Sequence, residues 1–392
     1  MSETSAAAGN DLVERARALA PLIREHADEA ERDRRLPKAV VDAMAAEGLF
    51  RVAAPRAVGG LETDPFTQVR VIEAVSEADG STGWNLMIGI ESTGFIGAAL
   101  PADVASEIFA DPALVVSGAL NPLGRAVPVA GGYRVTGQWP FASGCQNSQY
   151  FWGQCIVHES DERARDANGR VVLVEIVVPA KDYEVVDTWH VSGLRGSGSH
   201  DVAVRDVFVP ERLTTALGTR GLLAQGPLFR MPVFSRLAYN KVGVATGIAR
   251  AAIDHFVRLA SEKTPRGSRN LLRERATAQL ALAEAETQLR SARAWVFEIL
   301  AEVWEVVLAG GFVSDKQRAL LQLACTNAAS ASVRAVDLVH SAAGSSANFT
   351  SNPLERCMRD VRVVPQHIMV SPQWAEAGGR VLLGLESRSL LL

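Results

Sequence analysis

Cysteine is scarce in this chain of 392 residues, and the four that occur, Cys145, Cys155, Cys325 and Cys357, form no CxxC pair. Such scattered thiols exclude a disulfide framework or a cysteine-rich metal site and are typical of a reducing compartment. No apolar run reaches the roughly 18 residues of a membrane span, and the N-terminus lacks the pattern of a signal peptide. We therefore predict a soluble cytoplasmic protein without membrane contact.

An excess of charge of one sign is also missing. Forty basic residues stand against forty-four acidic residues, which gives a net charge of -4 and no general attraction for nucleic acid. Signatures of phosphate loops, serine hydrolases, zinc proteases and Rossmann domains are absent as well. The glycines of GLRGSGSHD (193 to 201) precede a predicted strand, not a helix. We predict neither a metal site nor a nucleic-acid partner.

Helical and strand-like patterns are segregated along the chain. Apolar residues recur at three- and four-residue steps from Leu12 to about Ile108, and again from about Pro232, as in amphipathic helices. Between them, β-branched and aromatic segments such as YFWGQCIV and DVAVRDVFV alternate with turn residues. This order predicts an α+β protein. Its expected domains are N-terminal helical (1–112), central β (113–225) and C-terminal helical (226–392).

Two segments of the β-region combine aromatic rings with Ser and Gly: GQWPFASGCQNSQYFWG (137–153) and TWHVSGLRGSGSHDVAVRDVFVP (188–210). Such segments can stack a planar heterocycle and hydrogen-bond its edge. They can also be β-turns whose aromatic rings belong to the core, which composition alone favours. The residues by themselves leave both interpretations open.

The same segments, the order of the blocks and the C-terminal GSSANFTSNPLERCMRDVRVVPQH (344–367) resemble the acyl-CoA dehydrogenase superfamily. More narrowly, they resemble its two-component flavin-dependent monooxygenases, the group D hydroxylases. The resemblance covers nearly the whole chain and implies a β-barrel-like middle domain, a C-terminal four-helix bundle and a homotetramer. It also implies reduced FMN or FAD, O2 as co-substrate and a separate flavin reductase. An aromatic, steroid-like or other small organic substrate would be hydroxylated through a flavin C4a-hydroperoxide.

The resemblance assigns contacts to the flavin ring one position at a time. Ser143 falls where the superfamily places a hydroxyl near flavin N5, and the aromatic residues before it, Trp139 and Phe141, are expected to contact the flavin as well. Trp189 resembles the aromatic residue beside the isoalloxazine. Turn hydroxyls that bond local backbone are the alternative interpretation for the serines. Polar residues of the equivalent turn correspond here to Ser197 and Ser199.

Contacts to the flavin phosphates are assigned to the second helical block. Arg266 and Gln279 have a spacing similar to the superfamily's Arg and Gln, although the usual Phe-Gly between them is missing. Arg269 or Arg273 could substitute, and a solvated helix face is the alternative. Gly344 and Ser345 resemble the superfamily's flavin-contacting turn. The alternative interpretation for them is a helix C-cap.

Acyl-CoA dehydrogenation requires a carboxylate base, and neither position used in the superfamily supplies one. Gln366 and His367 stand where the C-terminal Glu is expected, and Leu237 and Ala238 occupy the other position. The imidazole of His367 instead fits proton transfer during oxygenation, because its ordinary pKa is about 6.5. A packing histidine is the alternative. Many branch members carry a His earlier in the chain, where this one has Ile90 and Glu91.

Three functional hypotheses follow. The first is a reduced-flavin-dependent monooxygenase, with His367 and Ser143 as catalytic residues. The second is an acyl-CoA dehydrogenase that uses FAD and an unrecognised base. The third is a noncatalytic flavin-fold protein of the kind associated with alkylation response, against which the balanced charge argues.

Overall fold

The computed structural model describes residues 3–217 and 221–389, and its first block is helical. Two of these helices begin at aspartates whose carboxylates accept a backbone N–H: Asp64 from Thr67 and Asp79 from Thr82. Helix α6 is apolar on nearly every side and is buried almost throughout. The helices are α1 (Glu3–Ala18), α2 (Ala20–Glu25), α3 (Ala27–Asp33), α4 (Lys38–Ala46), α5 (Pro65–Ser76), α6 (Gly80–Ala99) and α7 (Ala102–Phe109).

The middle of the chain forms one mixed sheet. Its strands are β1 (Val116–Val129), β2 (Gly132–Trp139), β3 (Tyr150–Glu159), β4 (Glu162–Arg163), β5 (Leu173–Pro179), β6 (Glu184–Val186), β7 (Asp201–Pro210) and β8 (Thr214–Thr215). Their order is β6-β7-β2-β1-β3-β5-β8, with β4 paired to β3. The β1–β3 pair is parallel and the other pairs are antiparallel. This sheet has a core of its own, separate from that of the helices.

The last block is again helical and consists of α8 (Pro227–Arg230), α9 (Val233–Glu262), α10 (Ala276–Leu308), α11 (Asp315–Ala343), α12 (Pro353–Val361) and α13 (Trp374–Leu382). Glycines let α9 approach α5: a Cβ on Gly243 would lie 2.8 Å from the carbonyl oxygen of Val69. The predicted α+β class, with helical blocks on either side of the sheet in the sequence, is confirmed. No helix within the described ranges is both long and apolar enough to cross a bilayer.

Candidate active site

A row of hydrogen-bonded side chains crosses from α6 to the sheet. The indole Nε1 of Trp84 donates to Ser143 Oγ over 3.0 Å. Ser143 Oγ lies 2.6 Å from Ser199 Oγ, which in turn lies 2.8 Å from Ser197 Oγ. All four side chains are buried. The three serines assigned to the flavin therefore lie together, and their hydroxyls bond one another across two loops. We call the four residues Trp84, Ser143, Ser199 and Ser197 the serine row.

The loop that follows β2 is shaped to present Ser143. Phe141 has a φ of 64° and Gly144 a φ of 76°, so the chain turns sharply on both sides of the serine. The Gly144 N–H donates to the carbonyl of Ser197 over 3.1 Å, and the side chain of Asn85 donates to the same oxygen over 3.0 Å. A Cβ at position 144 would lie 2.4 Å from the Asn85 amide oxygen. Glycine is thus required here, and FASG forms a rigid turn.

Two aromatic rings stand at the surface beside this turn. Phe141 is 66% exposed, and its ring meets the edge of Trp189 at a centroid distance of 6.2 Å. The Trp189 indole is fixed by a 3.1 Å hydrogen bond to the carbonyl of Leu194. An exposed ring and a half-buried ring next to ordered hydroxyls suit the binding of a planar heterocycle. The chain therefore has residues that fit the isoalloxazine of a flavin.

Trp139 does not lie at this surface, although we expected it to contact the flavin. Its ring is fully buried and packs against Phe151 at 5.4 Å, while Nε1 donates to the carbonyl of Gln154 over 2.7 Å. The cause is the alternation of side chains along β2, which directs its last residue into the sheet core. In this structure the ring stabilises the β-domain and is not available for stacking.

His367 lies next to the Trp84 end of the serine row. The two ring centroids are 5.7 Å apart, and His367 Nδ1 accepts the N–H of Met369 over 3.2 Å. Because Nδ1 is an acceptor, the proton of the neutral ring resides on Nε2. Burial, and then the positive charge of Lys241, lower the pKa of His367 well below its ordinary value. The ring is neutral at pH 7, unlike the readily titrating imidazole that the sequence suggests.

The charge that acts on His367 belongs to a buried ion pair between α6 and α9. Lys241 Nζ lies 2.8 and 2.6 Å from the two carboxylate oxygens of Glu91. Burial raises the pKa of Glu91 and lowers that of Lys241, and the attraction between the two charges opposes both shifts. Glu91 thus lies in the helix where many members of the resembling branch carry a histidine. Both of its carboxylate oxygens are bound by Lys241. A lone lysine in the apolar stretch LAYNKVGVATGIA was the available sequence signal.

The residues assigned to the flavin phosphates are exposed. Arg266 and Gln279 are open to solvent, and the Gln279 amide donates to the carbonyl of Arg273 over 3.1 Å. Gly344 ends α11 with a φ of 66°, so the helix C-cap interpretation describes it, and Ser345 beside it is exposed. Among the described residues of this single chain, no hydrogen bond connects these four residues to the serine row.

Asp360 on α12 fixes the loop that carries Ser197 and Ser199. Its Oδ1 accepts the N–H of Leu194 over 2.6 Å. Burial and the neighbouring carboxylate of Asp79 raise the pKa of Asp360 to about 7. Asp360 was not predicted from the sequence as a site residue, because its partner is 166 positions away.

Replacing Asp360 with Ala is expected to lower the free energy of unfolding by about 1–3 kcal/mol, since the buried Leu194 N–H loses its acceptor. Asp360→Asn keeps an oxygen acceptor and cannot ionise. A raised pKa means that the stabilisation from the protonated carboxyl is present at low pH and is lost as the pH rises through about 7. The Tm of Asp360→Asn should therefore improve relative to wild type between pH 5 and pH 8. Equal Tm values for the Ala and Asn variants would contradict the role of Asp360.

Comparison with known protein families identifies two matching regions. The model described as "Acyl-CoA dehydrogenase, N-terminal domain" matches residues 10–100. The model described as "Acyl-CoA dehydrogenase, C-terminal domain" matches residues 240–372. The matched regions contain Trp84, Glu91, Lys241, Asp360 and His367, whereas the serine row lies largely between them.

Individual proteins match over most of the chain. An indole-3-acetate monooxygenase of Pseudomonas putida is 34% identical over 91% of this chain and 89% of its own length. The oxygenase component of an FADH(2)-dependent resorcinol hydroxylase from Rhizobium sp. (strain MTP-10005) is 32% identical, over 96% of this chain and 95% of its own. The structure of XiaF from Streptomyces sp., in complex with FADH2 and glycerol, has a TM-score of 0.89 and 27% identity, and covers 99% of each chain.

Proposed function

Since this chain belongs to the acyl-CoA dehydrogenase family, in its branch of reduced-flavin-dependent monooxygenases, we propose that it is the oxygenase component of a two-component system that hydroxylates an aromatic substrate. The observation that carries this proposal is the neutral imidazole of His367 beside Trp84 and the serine row. An acyl-CoA dehydrogenase would need a free carboxylate there. Glu91, the buried carboxylate nearby, is held by Lys241 at both oxygens.

Reduced flavin, when bound, supplies the electrons with which one atom of O2 is inserted into the substrate. Phe141 and Trp189 would hold its ring system, and Ser143 would face its polar edge. The Ser143 hydroxyl accepts the Trp84 N–H and is 2.6 Å from Ser199 Oγ. The Ser143 hydroxyl is therefore held in one orientation before any ligand binds. A preorganised hydroxyl can contact the flavin without reorientation of the side chain or of surrounding water.

We assign His367 to the substrate side of the site. With Nδ1 occupied by the Met369 N–H, the ring presents an Nε2–H donor. Such a donor can hold a substrate oxygen or nitrogen in place and stabilise negative charge that develops on it. Acceptance of a proton at Nδ1 would require the bond to Met369 to break. The geometry thus favours hydrogen-bond donation over the proton transfer that the sequence suggests.

Several further features are part of the same proposal. A flavin reductase supplies the reduced cofactor, either FMN or FAD, and the protein works in the cytoplasm as a homotetramer. Arg266 and Gln279 then reach flavin phosphates across a subunit interface, which their exposure permits. Support for association comes from large apolar side chains exposed in the C-terminal block: Leu280, Phe312, Leu382, Leu383 and Leu385.

Ser143→Ala is expected to divert reduced flavin from product to hydrogen peroxide while costing about 1–3 kcal/mol of stability, since the buried Trp84 N–H loses its acceptor. The hydroxyl links Trp84 to Ser199, so its loss leaves the Trp84 N–H without this acceptor and leaves Ser199 bonded to Ser197. The readout is the ratio of product to peroxide per reduced flavin consumed, with Ser148→Ala as a matched control in the same loop. An unchanged ratio in a folded Ser143→Ala protein would contradict this role.

The proposed function is tested by assaying one preparation in two ways. Reduced FMN or FAD is added with O2 and a panel of phenols and indoles, and separately acyl-CoA thioesters are offered with an artificial electron acceptor. We expect hydroxylated product in the first assay and no enoyl product in the second. The reverse pattern would replace the monooxygenase proposal with acyl-CoA dehydrogenation.

A further inference from the structure

Three ionisable side chains are buried together where α6 faces α9. Glu91 is 6% exposed, Arg236 3% and Lys241 1%. Glu91 comes from α6, and the two cations come from the first three turns of α9. Charged groups at this level of burial are expensive to keep unless each one is paired.

The pairing in this cluster is incomplete. Lys241 occupies both oxygens of Glu91. Burial lowers the pKa of Arg236, and its interactions with Tyr239 and then with Glu91 oppose that shift. If Glu91 and Lys241 are both ionised, the three groups carry a net charge of +1. If the proton has passed between them, the pair is neutral and the net charge is still +1. Among these three described residues, one cation therefore has no carboxylate of its own.

The unpaired cation is the guanidinium of Arg236. It lies over the ring of Phe95 at 4.8 Å and that of Phe229 at 5.5 Å, which attract it, and it shares a side-chain hydrogen bond with Tyr239. None of the described residues accepts a hydrogen bond from its buried Nη1. A guanidinium presents a fork of donors that suits a carboxylate. The missing partner is thus an anion with paired oxygens.

The cluster is within reach of the candidate active site. Trp84 and Glu91 are seven residues apart on α6, so they share a face and lie about 10 Å apart along the axis. Phe95, under the guanidinium, continues that face by one more turn. Lys241, which pairs with Glu91, also acts through its charge on His367, the neighbour of Trp84. A ring held at Trp84 and His367 could therefore direct a short side chain toward Arg236.

We propose that the substrate is an aromatic acid and that Arg236, backed by the charge of Lys241, binds its carboxylate. This inference rests on the proposed monooxygenase function and adds the chemical class of the substrate. Phe229 on α8 covers the guanidinium, so its ring must move when the acid enters. One relative described above acts, by its name, on such an acid, indole-3-acetate.

The test compares two ligands of the same ring and length, indole-3-acetate and the neutral indole-3-acetamide. Their dissociation constants are measured by calorimetry on the full-length protein with reduced FMN under anaerobic conditions. A charge-assisted hydrogen bond of the usual strength corresponds to about 10- to 100-fold in affinity. We expect wild type to bind the acid at least about 10-fold more tightly than the amide, and Arg236→Met to bind both about equally. Arg258→Met, an exposed control on the same helix, should keep the wild-type preference.

A structural role for Arg236 makes different forecasts. Removal of an unpaired buried cation should leave the Tm of Arg236→Met unchanged or higher, whereas loss of a structural contact would lower it. If Arg236→Met does not fold, Arg236→Lys keeps the charge without the fork and should show a reduced preference. Equal binding of acid and amide by wild type, or a preference of wild-type size in either variant, would overturn the proposal. Hydroxylation of neutral phenols or indoles without any preference for the acid would contradict the aromatic-acid proposal and leave the monooxygenase function intact. Preferential binding of the acid without oxygenation of any ring would contradict the monooxygenase function and leave the binding role of Arg236 intact.

Discussion

His367→Ala is expected to lower product formation by roughly a hundred-fold or more, the usual scale for losing a group that acts directly on the reacting atoms. Reduced-flavin binding should change little, because the flavin contacts we assign lie on the serine row and its neighbouring aromatic rings. The imidazole is neutral at pH 7 and offers its Nε2–H to the substrate. Single-turnover product yield, flavin affinity and Tm are measured together on the same preparation.

A second substitution separates hydrogen-bond donation from proton transfer. His367→Gln can place an amide N–H near the position of Nε2 but cannot carry a proton at neutral pH. If donation is the role of His367, the Gln variant should be clearly more active than the Ala variant. If proton transfer is its role, both should be equally impaired. His158→Ala, in the β-domain, serves as the control, and normal yield from a stable His367→Ala protein would contradict the assignment.

Lys241→Met is expected to cost about 3–5 kcal/mol of stability, the largest effect of any single substitution considered for this chain. The substitution leaves Glu91 buried without the ammonium that now lies 2.6 Å from its nearer oxygen. Chemical denaturation and Tm provide the measurement. Because the cost comes from the unpaired carboxylate, the double variant Glu91→Gln with Lys241→Met should recover most of the loss. A single variant as stable as the double variant would show that the pair is not coupled in this way.

The sequence predicted features that depend on local pattern. Alternating periodicities separated the helical blocks from the sheet, and the resemblance of the FASG segment to the superfamily led to Ser143. Local pattern could not place Trp139 and Phe141, two residues apart. A positive φ at Phe141 interrupts the alternation of side chains, so one ring enters the core and the other reaches the surface.

Residues whose partners are far away in the chain were missed. Trp84 bonds Ser143 across 59 positions, and Lys241 pairs with Glu91 across 150. Each lies in a helix with several other polar side chains, and the contact exists only after tertiary packing. The tautomer of His367 could not be predicted either, because it depends on the backbone N–H of Met369 meeting Nδ1.

Monooxygenase activity is tested by the origin of the oxygen in the product. The protein is supplied with reduced FMN or FAD, a panel of aromatic acids and neutral phenols, and ¹⁸O₂ in unlabelled water. The masses of the products are measured by mass spectrometry. We predict one ¹⁸O atom in each newly formed hydroxyl group, with no incorporation when the flavin is oxidised. Products that carry oxygen from water, or no oxygenated product from any member of the panel, would contradict the function proposed for this chain.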